Sequence, residues 1–144
     1  MKWLSALAAT LALGLTVSGC AGAGEIEVRS AWARSTPPGA AVGAVYLEIR
    51  NTGTGADRLR GITSTIARKT ELHGTMMHGG MAHMRAVPEL EVPAGATIRF
   101  EPGGLHVMLI GLREPLVAGQ LFTLQLEFEH AGRRQVPVEV RDPG

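Results

Sequence analysis

The chain has 144 residues, with 14 Lys and Arg against 13 Asp and Glu. Without Lys2, which belongs to an export leader, the balance is 13 against 13 and no basic stripe stands out; nucleic acid, whose binding rests on neutralising many phosphates, is therefore not an expected partner. A single cysteine, Cys20, excludes an internal disulfide, and if its thiol carries a lipid the folded domain has none left for catalysis or for a thiolate metal site.

Residues 1–19 begin with the positive charge of Lys2, run apolar from Leu4 to Val17 and close on small residues. This is a secretory signal pattern, too short and wrongly flanked for a stable transmembrane helix. Val17-Ser18-Gly19-Cys20 resembles the lipobox of bacterial lipoproteins, in which the leader is cut before the cysteine and the thiol takes a diacylglycerol. Such a lipid tethers a protein to the bilayer without making it span. Residues 20–25 then form the lipidated cysteine and a short tether. Residues 26–144 form one domain of about 120 residues, enough for a real core. The expected location is the periplasm or another extracytoplasmic space, with Cys20 as the only membrane attachment.

From there the sequence reads as strands separated by Gly/Pro turns. Val42–Asn51 contains an alternating run and ends at an Asn-Thr-Gly turn. Residues 58–62 and 67–73 are shorter strand candidates, followed by Met81–Ala86 and 89–92. Residues 97–100 precede the turn Glu101-Pro102-Gly103-Gly104, and 105–112 are strongly apolar. Residues 121–129 place Phe122, Leu124, Leu126 and Phe128 on one side; residues 135–141 do the same with Val136, Val138 and Val140. No helical period is sustained after the leader. About eight short strands at this spacing predict an all-β barrel or sandwich.

The chemistry is concentrated in one window. Aside from Met1, every methionine lies between residues 76 and 108, and four of the five histidines lie between 73 and 106. The stretch HGTMMHGGMAHM, residues 73–84, has seven His or Met in twelve positions. Core packing explains one or two methionines but not methionine interleaved with histidine in a Gly-bearing loop. Thioether is a soft, neutral donor suited to Cu(I), and imidazole also suits copper. Zinc sites favour Cys, His or carboxylate, and calcium or magnesium would need clustered carboxylates. A His/Met set without cysteine therefore points to copper in its reduced state. In a strand, His106 and Met108 share a face while Val107 and Leu109 take the other, and two residues of rise, roughly 6.6 Å, let both side chains converge on one ion. The same parity over Met81–Ala86 sets Met84 apart from His83 and favours Met84 as a ligand.

The pattern resembles the periplasmic copper chaperones called PCuAC, whose motif is H(M)-x10-M-x21-H-x-M. Here His73, ten residues, Met84, twenty-one residues and His106-Val107-Met108 satisfy it. Glu71-Leu72-His73, Val92-Pro93-Ala94-Gly95 and the run from Pro102 to Leu112 match as well, so the resemblance covers about residues 25–141. One departure is Gly74, which stands where the optional methionine beside His73 would be. The resemblance implies a cupredoxin-like Greek-key β-barrel. It also implies a Cu(I) site of His73, Met84, His106 and Met108, and a non-enzymatic carrier supplying the CuA centre of cytochrome c oxidase. The expected partner is the copper-accepting oxidase subunit or its assembly factors, met by a monomer. Met76, Met77, His78, Met81 and His83 are auxiliary candidates, and the place where Cu(II) would bind.

Other readings remain. An electron-transfer cupredoxin needs a Cys thiolate beside two His, which the mature domain lacks. A copper oxidase or monooxygenase would use His-rich sites rather than two thioethers. Storage or resistance would use the same ligands, with further ions on the auxiliary set. Glu71, two residues before His73, would share its strand face and could orient the imidazole. His130 reads as a turn residue, Trp32 as core or an edge anchor, and Arg133 and Arg134 as a solvated pair.

Overall fold

The period-two alternation carries through to the structure. The computed structural model describes residues 25–143, which contain ten strands and no helix. They are β1 (Ile26–Arg34), β2 (Val42–Asn51), β3 (Asp57–Thr63), β4 (Ala67–His78), β5 (Met81–Ala86), β6 (Leu90–Val92), β7 (Thr97–Arg99), β8 (His106–Leu112), β9 (Leu121–Phe128) and β10 (Gly132–Arg141). The leader, Cys20 and the tether up to Gly24 lie outside the described residues. No helix among the described residues is long and apolar enough to cross a membrane.

The strands hydrogen-bond in the order β5-β4-β8-β2-β1-β10-β9-β3-β6, with β7 added to β2. Every pairing is antiparallel except β1 with β10. The long β2 serves two partners: Val42–Val45 pair with β8, and Glu48–Arg50 pair with β7. Because β7 follows β6 after one tight turn, the far end of the path curls back to β2. Asn51, fully buried, fastens this closure: its Nδ2 donates to Val92 O (3.0 Å) and Gly55 O (2.8 Å), and its backbone N–H donates to Ala96 O (2.9 Å). The inward faces meet in a core that includes Val45, Ile49, Val107, Leu109, Leu124, Leu126, Val138 and Val140.

Asp57 closes a second corner. Its carboxylate accepts the backbone N–H groups of Arg58 (2.7 Å), His130 (2.9 Å) and Ala131 (2.9 Å), tying the start of β3 to the turn between β9 and β10. Burial alone pushes this carboxyl up, but the three backbone donors outweigh it and hold the group below its ordinary 3.8.

Two elements depart from the sequence expectation. Strand β1 escapes the alternation rule because a bulge interrupts it: its register against β2 shifts between Arg29 and Trp32, and Ser30 has φ 52°. The extra residue switches the inward parity from Ile26 and Val28 to Ala31 and Ala33, so no single period runs through the segment. Strand β4 does not stop at residue 73. It continues to His78, and what reads as a Gly-bearing loop is a regular hairpin with β5. Gly79 and Gly80 have φ 60° and 80°, the pair of positive values that a two-residue type I′ turn requires and that matches strand twist.

Candidate metal centre

Strand registers place the motif residues on one face. His73 of β4 stands directly opposite His106 of β8, and Glu71 directly opposite Met108. On the other side of β4, Thr75 faces Met84 of β5 and His73 faces Ala86. Directly opposed residues of an antiparallel pair project to the same side, so His73, Met84, His106 and Met108 share one face of three adjacent strands. The alternate residues Leu72, Val107 and Leu109 go into the core. The apolar half of each strand thus anchors the polar half.

The two histidines are held by hydrogen bonds that leave one nitrogen each. His73 Nε2 lies 2.7 Å from Glu71 Oε2. Hydrogen bonds from Lys69 and then His73 keep the Glu71 carboxyl below its usual value, so it is an ionised acceptor and Nε2–H must be the donor. The His73 Nδ1 lone pair then has no partner, and that atom is buried. A buried polar atom without a hydrogen bond is costly unless something else satisfies it. His106, 7% exposed, is arranged the other way round: Nδ1–H donates to Gly104 O at 3.3 Å, leaving Nε2 free. The ring centroids are 6.0 Å apart.

A cleft of about 410 Å³ opens beside His106, lined also by Ala44, Thr75, Met84 and Met108, with Arg34 on its wall; His73 stands behind His106 and does not line it. Met84 is 63% exposed, whereas Met108 is half-buried. Among the described residues no three His, Cys, Asp or Glu side chains gather as a metal cluster. The side-chain sulfurs on the cleft wall are the thioethers of Met84 and Met108, which are soft donors.

The auxiliary candidates separate. Met77 lies on the motif face, by alternation from His73 and Thr75, whereas Met76, His78, Met81 and His83 lie on the opposite face. Glu71 occupies the orienting position that its spacing from His73 allowed. Three participants were not singled out from the sequence: Lys69 beside Glu71, the Gly104 carbonyl, and Arg34 in the cleft. The first was legible as a third same-face residue on β4. The other two depend on ring orientation and on how β1 ends, neither of which a linear pattern records. His130 is a turn residue, and Trp32 stacks on Tyr46 with centroids 4.8 Å apart.

Comparison with known proteins places this architecture. Residues 26–140 match the family model described as "Putative lipoprotein LpqE-like". A protein of Leifsonia xyli subsp. xyli, named "Putative lipoprotein Lxx21020", is 36% identical over 118 residues, covering 81% of this chain and 70% of that one. Among solved structures, the solution structure of Cu(I)-DR1885 from Deinococcus radiodurans is similar with a TM-score of 0.64 at 32% identity, over 78% of this chain and 76% of that one. The copper-bound PCuAC domain from PmoF2 superposes with a TM-score of 0.71 over 83% of this chain and 95% of that one; at 24% identity it speaks for the fold alone, which is cupredoxin-like. The match over nearly all of the described residues, together with the 36% identical relative, means that this chain belongs to the LpqE-like family, whose folded unit is of the PCuAC type.

Proposed function

We propose that this chain is an extracytoplasmic Cu(I) carrier, tethered to the membrane through a lipid on Cys20, that binds one ion with His73, Met84, His106 and Met108 and delivers it toward the CuA centre of cytochrome c oxidase. The observation that carries this reading is the opposed histidine pair, each ring fixed by one nitrogen and free at the other, on the same face as two methionines. His73 would meet the ion through Nδ1 and His106 through Nε2. The donors are all neutral, which suits a monovalent soft ion. The Cu(I) in DR1885 supports the same assignment. The lipoprotein name of the Leifsonia relative supports the anchor.

Delivery follows from the asymmetry of the ligands. His73, His106 and Met108 sit in hydrogen-bonded or half-buried positions, whereas Met84 is exposed on the edge strand β5. An acceptor thiolate can displace the Met84 thioether first and take the ion through a shared intermediate. The test is stopped-flow transfer from the Cu(I)-loaded protein to an apo CuA domain at rising acceptor concentration. The carrier reading expects a rate that climbs with acceptor. A rate fixed at the intrinsic dissociation rate favours storage or resistance and overturns delivery.

A further inference from the structure

The hairpin beyond the barrel has a second face that the motif does not use. Strand β4 loses its β8 partner after His73, so residues 74–78 pair only with β5 and the ribbon stands clear of the core. On the face turned away from the motif, Met76 is directly opposite His83, and His78 is directly opposite Met81. Opposed Cβ atoms in such pairs are about 4.5–5.5 Å apart, and successive same-face pairs are roughly 6.6 Å apart along the strand. Four side chains on a rectangle of that size, each with several rotatable bonds, can meet above its centre. The rigid type I′ turn at Gly79-Gly80 fixes the nearer pair.

The chemistry of this face repeats that of the motif: two imidazoles, two thioethers and no thiolate. Its methionines are also exposed where methionine has no packing reason to be. Met76 is 54% exposed and Met81 66%, and of the seven large exposed hydrophobics among the described residues four are methionines of this one ribbon. Met76, His78 and His83 line a hollow of about 460 Å³ that also reaches Met77, Met84 and Arg85. Arg85 lies on the same face, opposite Gly74. A fixed positive charge beside four neutral donors disfavours a divalent ion more than a monovalent one.

From this placement we infer that Met76, His78, Met81 and His83 form a second Cu(I) site, on the ribbon face that continues the core face of Leu72, and built from none of the motif ligands. It stands whether or not the protein delivers to an oxidase, because it uses none of the motif ligands. It is the weaker of the two. Neither of its imidazoles has the oriented setting that Glu71 gives His73 or the Gly104 carbonyl gives His106, and losing such partners costs about 10–100-fold in metal affinity. Its hollow touches Met84, so an ion held there lies next to the exposed ligand of the motif site.

The experiment is anaerobic Cu(I) titration of the mature domain against a chromophoric Cu(I) chelator, with the ε-methyl resonances of the methionines followed in parallel. The wild type should take two ions in two affinity classes, and the Met76 and Met81 methyls should shift only with the second equivalent. Met76→Ala/His78→Ala/Met81→Ala/His83→Ala, a change confined to exposed positions, should retain the tight ion and lose the weak one. His106→Ala/Met108→Ala should lose the tight ion and keep the weak one; retention of the tight ion in that variant would instead sink the motif-site reading and leave the ribbon site standing. A wild type that takes one ion, ribbon methyls that never shift, or Cu(II) bound at the ribbon in place of Cu(I) would each overturn the second site.

Discussion

Two regions of the barrel treat buried polar groups in opposite ways. In one, Asn51 and Asp57 are buried and saturated: the Asn51 amide donates to two carbonyls and its oxygen accepts from Gly53, and the Asp57 carboxylate accepts three backbone N–H groups. In the other, His73 Nδ1 is buried and bonded to nothing. Full satisfaction marks side chains that hold the fold together, since each unmade bond there costs stability. Among the described residues His73 Nδ1 is the one buried side-chain nitrogen or oxygen without a hydrogen bond, and under the proposed function a soft monovalent ion beside the thioethers would satisfy it.

Removing the soft donors should break the contrast most completely. Met84→Ala/Met108→Ala should weaken Cu(I) binding by more than about a hundredfold, beyond what the loss of an orienting partner costs, while the melting temperature of the metal-free protein stays near that of the wild type. Competition with a Cu(I) chelator and a circular-dichroism melt measure the two quantities. Unchanged affinity would dissolve the proposed ligand set.

The mirror-image change belongs in the saturated region. Asp57→Ala strips the partner from the N–H groups of Arg58, His130 and Ala131 and should cost about 3 kcal/mol of stability. Its copper affinity, measured well below the shifted melting point, should match the wild type. A loss of affinity as large as the loss of stability would mean that the two regions are coupled.

A smaller effect sharpens the metal region from within. Glu71→Ala frees the His73 ring to turn, so that either nitrogen can face His106, and Cu(I) affinity should drop about tenfold with little change in stability. Glu71→Gln retains an acceptor oxygen and should recover part of the loss. Equal affinity in both variants and the wild type would show that the ring is held by packing instead.

Acid should probe Asp57 most gently. Its carboxyl is held below its ordinary 3.8, so ionisation is favoured by folding; the resulting stability is fully present above that value and is lost as the pH falls through the depressed one. Urea unfolding from neutral pH down to about pH 3 should show wild-type stability declining at the acid end, with a shallower decline in Asp57→Asn. Superimposable curves for the two proteins would remove Asp57 from the acid response.

The linear pattern settled what depends on local chemistry and period. Alternation in Leu121–Phe128 and Gly132–Arg141 was enough for strands, and the absence of any helical run was enough for an all-β fold. The softness of thioether and imidazole, in a chain whose one cysteine is Cys20, was enough to nominate the class of ion. Three things were beyond it. Strand β1 stayed hidden because its bulge at Ser30 exchanges the inward and outward positions halfway along. The His/Met stretch read as one cluster because composition does not say that residues 74–78 continue β4; only the hairpin register divides it into a face with Met77 and Met84 and a face with Met76, His78, Met81 and His83. The free nitrogens of His73 and His106 were undetermined as well. Those residues are 33 positions apart in the chain, and they oppose each other only because β4 and β8 pair in one register, with Leu72 and Val107 held in the core. Spacing could nominate the ligands, but a slip of one residue would have turned them to the other face, and the packing of the apolar alternates is what forbids it.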